Sequence, residues 1–229
     1  MCKLMVIVVI LMTLAAPLCA APAYLGGYSG TILVPDTETT PSGQWDLAFH
    51  DSFGLLSHDT DFKATSLQYG VFPKLEVGVS IVQNGTTDAA FNGKYRLIDE
   101  TSTLPSVAVG VYDIGDQVDS LNNSASLYMM LSKNITPFAS RLSDMPSKPL
   151  RLSIGAGTGI FNGFLASLDW TLLPRFSVQA EYFGGHIGDH DHFADAGVRY
   201  AVTNALRLDA GTIDFQRLAI GVNLRSTFK

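Results

Sequence analysis

The sequence predicts an all-β protein: a closed antiparallel transmembrane β-barrel of about 12 strands behind an irregular N-terminal leader. Three observations carry that prediction. From Gln44 to Arg225 short runs alternate apolar and polar residues, each closed by a turn signal; an export signal stands in front of them; and behind that signal no apolar run approaches the roughly 18 residues a spanning helix needs. Leu75-Glu76-Val77-Gly78-Val79-Ser80-Ile81 shows the alternation cleanly. Side chains alternate across a strand, so Leu75, Val77, Val79 and Ile81 share a face suited to lipid while Glu76, Gly78 and Ser80 share one suited to water.

The chain divides into a signal peptide over 1–20, a leader over 21–43 and a barrel over 44–229. Lys3 supplies a short positive start, Leu4 to Ala16 is almost wholly apolar, and small residues follow through Ala20, Ala21 and Ala23. Cleavage after Ala20, Ala21 or Ala23 is open, and Ala21-Pro22-Ala23 fits the small-x-small rule best. Both cysteines, Cys2 and Cys19, fall in the signal, so the mature chain has neither disulfide nor cysteine metal site. Cys19 as a lipidated N-terminus is disfavoured by Leu18 and Pro17 before it. The formal charge of −6 and the lack of any Lys/Arg-rich run argue against nucleic acid as a partner.

The strands follow in order. Trp45, Leu47 and Phe49 oppose Asp46, Ala48 and His50 within Gln44 to His50; Thr65, Leu67, Tyr69 and Val71 oppose Ser66, Gln68 and Gly70 within Ala64 to Val71; Leu75 to Ile81 is third. In the fourth, Ala89 to Leu97, Phe91, Tyr95 and Leu97 oppose Asn92, Lys94 and Arg96; Val107, Val109 and Val111 mark the fifth, and Ala125, Leu127, Met129 and Leu131 the sixth. Leu150, Leu152, Ile154 and Ala156 then oppose Arg151, Ser153, Gly155 and Gly157, and Phe164, Ala166, Leu168 and Trp170 oppose Ser167, Asp169 and Thr171. Phe176, Val178, Ala180 and Tyr182 oppose Ser177, Gln179 and Glu181; Ala194, Ala196, Val198 and Tyr200 oppose Asp195, Gly197 and Arg199. Leu206, Leu208 and Ala210 oppose Arg207, Asp209 and Gly211, and Leu218, Ile220, Val222 and Leu224 oppose Ala219, Gly221, Asn223 and Arg225.

An even count suits a closed bacterial barrel, and the connections sort by parity. Tight turns at Phe72-Pro73-Lys74, Leu173-Pro174-Arg175 and Ala201 to Ala205 follow even strands, while Asp51 to Asp61, Tyr112 to Asn123 and Gly184 to His192 read as longer loops after odd ones. Ser132 to Pro149, long and proline-bearing, strains that rule. Tyr69, Tyr95, Trp170, Tyr182 and Tyr200 stand on the apolar face near strand ends, where an interfacial girdle belongs. A soluble β-sandwich fits each strand alone, so closure decides between the two architectures.

The segment Gly27-Tyr28-Ser29-Gly30-Thr31-Ile32-Leu33-Val34-Pro35-Asp36-Thr37-Glu38-Thr39-Thr40-Pro41-Ser42-Gly43-Gln44, the strand Trp45 to His50 and the hairpin Tyr69 to Gly78 resemble the opening of YjbH-like exopolysaccharide-biosynthesis proteins. The resemblance implies an outer-membrane barrel connected with polysaccharide export or envelope maintenance, and no catalytic residues. Polysaccharide or its export machinery is then a partner alongside outer-membrane lipid; no cofactor is called for. The leader reads either as an ordinary ordered strap or as a plug folded into the lumen.

On these assignments the inward face carries Asp46, Glu76, Asp169, Glu181, Asp195 and Asp209 against Lys94, Arg96, Arg151, Arg199, Arg207 and Arg225. Paired wall charges are the first reading, and a mixed-sign channel for neutral solutes or sugars the second. His186-Ile187-Gly188-Asp189-His190-Asp191-His192 is the densest group of metal-ligand types, yet its spacing matches no defined site, so no metal is assigned. His50, His58, Asp59 and Asp61 lack a nucleophile motif nearby, which leaves an outer-membrane lipid hydrolase as the weakest alternative, behind a passive pore. The expected function is therefore non-enzymatic.

Overall fold

The computed structural model describes residues 21–54, 62–84, 86–118, 125–136, 149–187 and 190–226. The segment expected to be a signal peptide, with Cys2 and Cys19, the residues His58, Asp59 and Asp61, the middle of the Ser132 to Pro149 connection and the penultimate Phe228 lie outside them.

Twelve strands run β1 (Trp45–Gly54), β2 (Phe62–Phe72), β3 (Leu75–Asn84), β4 (Thr86–Ile98), β5 (Ser106–Tyr112), β6 (Ser126–Asn134), β7 (Leu150–Gly157), β8 (Gly163–Leu173), β9 (Phe176–Ile187), β10 (His190–Ala201), β11 (Leu206–Ile213) and β12 (Arg217–Arg225). Each pairs antiparallel with its neighbours in sequence, and β12 returns to β1 in a register from Asp46↔Arg225 to Gly54↔Arg217. That closure removes every sheet edge and excludes the sandwich. At the seam Ser226 N–H donates to the Trp45 carbonyl at 2.9 Å, and Arg225 Nε donates to Asp46 Oδ1 at 2.7 Å.

The two faces separate as period-2 alternation requires. Trp45, Phe49, Leu67, Tyr69, Val77 and Ile81 are between 38% and 46% exposed, whereas Ala48, His50, Ser66, Gln68, Glu76 and Ser80 are at most 4% exposed. The outer set is the lipid-facing belt, and Tyr95, Trp170, Tyr182 and Tyr200 point outward with it.

Two details differ from the sequence reading. Gly184 to Ile187 and His190 to His192 are strand rather than loop: β9 runs to Ile187 and β10 starts at His190, with a register shift between Asp191 and Phe193. Gly184, Gly185 and His192 fall at that shift, and pairing resumes on either side of it. Connection length also fails to sort by parity, since β3 ends at Asn84 and β4 begins at Thr86, after an odd strand. Both ends of the barrel therefore carry tight turns.

Residues 21–43 make no named strand, yet nearly all are buried. They touch inward-facing groups of β3, β9 and β12, on separate parts of the wall: Ser29 bonds Glu76, Leu33 bonds Glu181, and Tyr24 Oη donates to the Ala219 carbonyl at 3.3 Å. A segment reaching such distant parts of the inner wall lies in the lumen. The hydrophobic core is built around it: Tyr24, Leu25, Tyr28, Ile32, Leu33 and Val34 pack with Tyr112, Tyr128, Met130, Phe161, Phe183 and Phe193. Each such side chain contributes roughly 1.5–3 kcal/mol on burial, while ordering backbone costs about 1–2 kcal/mol for every leader residue. Apolar contact alone cannot hold the leader, so its polar anchors decide.

Candidate functional site

The occupied lumen is the candidate site, and its anchors stack in layers from the mouth that holds the barrel's two chain ends, here the terminal mouth. There the leader enters beside β2: Gly43 N–H donates to the Gly70 carbonyl at 2.7 Å, and a β-carbon on Gly70 would meet the Pro41 carbonyl oxygen at 2.2 Å. Glu38 takes Arg96 at 3.3 Å and Arg151 at 2.9 Å; Thr37 Oγ1 lies 2.5 Å from Ser106 Oγ and accepts from Arg151 Nη2 at 2.9 Å.

One layer deeper, Glu76 and Lys94 face each other as direct cross-strand partners of β3 and β4, 3.1 Å apart with both side chains fully buried. Lys94 also reaches Asp36 at 3.4 Å and donates to the Ser29 carbonyl at 2.9 Å. Glu76 in turn accepts from Ser29 N–H, Ser29 Oγ and Thr40 N–H, at 2.8, 2.6 and 2.8 Å. A buried ion pair survives when further hydrogen bonds satisfy its remaining lone pairs and protons, and the leader supplies them.

Across the lumen the leader reverses between Gly30 and Pro35, which form an isolated bridge. The Glu181 carboxylate of β9 sits against this turn and accepts from the backbone N–H groups of Ile32, Leu33 and Val34 at 2.9, 2.5 and 3.2 Å and from Thr31 Oγ1 at 2.5 Å. Successive backbone N–H groups in a turn make an anion-binding concavity; here a wall carboxylate fills it. Arg199, paired with Asp209 at 2.8 Å, donates to the Gly30 carbonyl at 3.4 Å.

The far end is aromatic. Tyr28 inserts among Tyr112, Tyr128 and Phe161, with ring centroids 5.7, 6.1 and 5.8 Å away. Phe161 is carried there by a single 3-10 turn over Gly159–Phe161, and Phe183 and Phe193 extend the cluster. Tyr24 stacks on His50 at 4.4 Å, and the His50 ring fills the space that Gly221 leaves by lacking a side chain.

The leader approaches the wall as closely at Gly78 as at Gly70: a β-carbon on Gly78 would lie 2.2 Å from the Gly27 carbonyl oxygen. Gly26 and Gly27 hold φ of +77° and +76°, so this backbone cannot easily yield. Gly78→Ala is expected to cost about 1–3 kcal/mol of leader docking. Gly93→Ala is the control, because its β-carbon would meet only Val111 Cγ1 at 3.9 Å. Protease cleavage of the leader in the folded barrel reads the difference; equal rates in the two variants would refute the close approach.

All twelve inward charges named from the sequence can now be placed. Asp46 pairs with Arg225, Glu76 with Lys94, and Arg199 with Asp209 on neighbouring strands. Arg151 and Asp169 are backbone partners, but Arg151 turns to Glu38 and Glu100 while Asp169 takes Gln179 at 2.9 Å and Arg199 at 3.9 Å. Arg96 binds Glu38 and Asp99, and Arg207 lies buried beside Asn223 on β12. Glu181 and Asp195 are like-charged backbone partners; Glu181 serves the leader, and Asp195 accepts from Asp214 N–H at 2.6 Å. At the rim the Lys74 ammonium, 2.6 Å from Asp99, holds that carboxyl below its ordinary range. His186 and Ile187 end β9 and His190 to His192 begin β10, and among the described residues no three His, Cys, Asp or Glu are placed to hold a metal ion.

Sequence reasoning missed the other half of the site: Ser29, Thr31, Asp36, Thr37, Glu38 and Thr40 in the leader, Glu100, and the aromatic far end. The available signal was the leader's run of hydroxyls and acids, which contains no Lys or Arg and faces a wall carrying Lys94 and five arginines.

A model for the family described as exopolysaccharide biosynthesis protein YbjH matches residues 26–211. The chain belongs to the YjbH family. That match spans the plug and most of the strands, so in this YjbH-family barrel the leader and the wall are parts of one unit. Among solved structures, the barrel is similar to the KdgM porin, with a TM-score of 0.56 and 11% identity over 80% of this chain and 99% of that one. It is also similar to the Acinetobacter baumannii outer membrane protein Omp33, with a TM-score of 0.51 and 12% identity over 81% of this chain and 98% of that one. A further structure shows the KdgM porin in complex with disordered oligogalacturonate, at a TM-score of 0.53 and 10% identity, over 80% of this chain and 99% of that one. No curated protein matches the chain.

Proposed function

We propose that this YjbH-family protein is a non-enzymatic outer-membrane barrel serving exopolysaccharide export or envelope organisation, and that its leader is the gate of its lumen. The observation that carries this is the leader itself, seated along the lumen on Glu76, Lys94, Glu181 and Arg199 rather than lying across a rim. Its anchors are hydrogen bonds and ion pairs, and the wall groups that make them can hydrogen-bond the hydroxyls of a polyhydroxylated chain as it enters. The family description and a porin of the same fold that holds an oligosaccharide both support a polysaccharide as the traffic.

A staple tests the gate. Thr37→Cys with Ser106→Cys replaces two hydroxyls whose oxygens lie 2.5 Å apart, in a region with no other cysteine. Oxidation is expected to lock the leader and stop polysaccharide release from cells, and reduction to restore it. Release that is unaffected by the staple sinks the gate. The second reading, a passive pore, draws on the fold shared with the KdgM porin; it predicts bilayer conductance from the oxidised, stapled protein equal to that of the wild type.

A further inference from the structure

The start of the leader is packed as firmly as its middle. Ala21 and Ala23 are 1% and 0% exposed, and Pro22 is buried between them. The three residues form one side of a hairpin: Pro22 bridges Ser29, the Ala21 carbonyl accepts from Gly30 N–H at 2.9 Å, and Ala23 N–H donates to the Tyr28 carbonyl at 3.0 Å. The other side of that hairpin holds Ser29 and Gly30, the residues that bond Glu76, Lys94 and Arg199. Cleavage after Ala23 would strip the partner from this anchor strand, and cleavage after Ala21 would remove the acceptor of Gly30 N–H. Only cleavage after Ala20 leaves the hairpin whole.

Ala21 lines a pocket at the terminal mouth together with Asp36, Glu38, Asp169, Arg151 and Arg199. Three carboxylates meet two guanidiniums there, and both guanidiniums are already shared. Arg199 is committed to Asp209 at 2.8 Å and stands 3.9 Å from Asp169; Arg151 divides between Glu38 and Glu100. The leader brings Asp36 and Glu38 into the lumen and carries no Lys or Arg of its own. The wall cations that meet them are divided as well: Lys94 lies between Asp36 and Glu76, and Arg96 between Glu38 and Asp99.

We propose that cleavage between Ala20 and Ala21 adds a cation to this shared set, and that the α-ammonium of Ala21 docks among Asp36, Glu38 and Asp169 as a latch on the leader. An α-amino group titrates near 7.7–8.0 and so is largely charged at neutral pH, and ammonium-to-carboxylate hydrogen bonds are among the stronger ones available. Signal removal then does two things at once: it frees the chain for the membrane and makes the group that fastens its plug. The latch concerns only the seating of the leader and holds whatever the barrel carries.

Two measurements on protein purified from outer membranes test it. Intact mass spectrometry is expected to show a chain beginning at Ala21; a chain beginning at Pro22 or Tyr24 overturns the proposal. Acetylation by a succinimidyl ester, read by peptide mass spectrometry, is expected to modify the Ala21 amine at least about tenfold more slowly in the folded barrel than in the denatured chain. Lys63, whose side chain is 49% exposed, serves as the internal reference. Asp169→Asn is expected to raise the folded-state rate while leaving heat-modifiable gel mobility intact. Equal folded and denatured rates in the wild type, or no change in any of Asp36→Asn, Glu38→Gln and Asp169→Asn, overturns the latch.

Discussion

Glu181→Ala releases the leader while the barrel stays closed. The wild-type carboxylate collects three backbone N–H groups and the Thr31 hydroxyl at one point; after truncation the hydroxyl keeps the Val34 carbonyl at 3.2 Å, while the N–H groups of Ile32, Leu33 and Val34 lose their acceptor. A buried donor left without a partner costs about 1–3 kcal/mol. Two effects soften the loss: water enters the vacated space, and Asp195 is relieved of a like-charged neighbour. A net weakening of about 3 kcal/mol remains, which at 1.4 kcal/mol per factor of ten lowers the docked-to-undocked ratio by roughly a hundredfold. Chymotrypsin reads it directly, because Tyr24, Leu25 and Tyr28 are buried when the leader is seated. Cleavage there should rise by about that factor while heat-modifiable mobility shows a folded barrel; an unchanged rate would mean that Glu181 does not hold the turn.

Lys94→Met damages a different layer in a different way. Methionine keeps the length of the side chain and removes the charge, leaving Glu76 and Asp36 facing each other without the ammonium between them. Removing one partner of a buried ion pair typically costs 3–5 kcal/mol, since the surviving charge is stranded. At about 2–4 °C per kcal/mol for a chain of this size, the temperature of heat-modifiable unfolding should fall on the order of 10 °C. The pairing with Glu76→Gln is the decisive arm. An amide at that position carries no stranded charge but has a single acceptor oxygen, so it keeps either Ser29 N–H or Thr40 N–H, which bond different oxygens of Glu76 in the wild type, and the double variant should regain part of the loss. Additive losses in the double variant would show that Lys94 acts through packing rather than charge.

The wall of this molecule was legible in its sequence, while the plug was legible only as one of two readings of the leader and its anchors not at all, for a physical reason. Strand faces follow from period 2 alone, so Glu76, Lys94 and Asp46 could be set inward from their immediate neighbours. Lipid outside reinforces the signal, because Phe91 or Leu127 on the outer face tolerates no polar exchange partner. The leader obeys no such rule. Its turn is fastened by Glu181 at separations of 147 to 150 residues, and its side of that contact is backbone N–H, which every non-proline residue owns. Glycines gave a partial clue: alternation sets Gly70 and Gly78 on the inward face, and a β-carbon at either would meet leader backbone. The β9 extension past Tyr182 was hidden because Gly184-Gly185-His186 offers neither alternation nor β-branched side chains, while the β10 ladder holds it in place.

Gly43 and Gln44 join the leader directly to β1, and this covalent tether changes what opening means. A released leader cannot diffuse away; it remains beside its own lumen at an effective concentration in the millimolar range for a short flexible link. Re-entry is therefore a first-order event whose likelihood does not fall with dilution, and modest docking strength suffices to keep the lumen filled. Any solute that holds the leader out must match that local concentration, which a long polymer threaded through the lumen does by being tethered in its own right, and a free monosaccharide at micromolar levels does not. Such a tether discriminates by the length of the traffic before any contact discriminates by its chemistry.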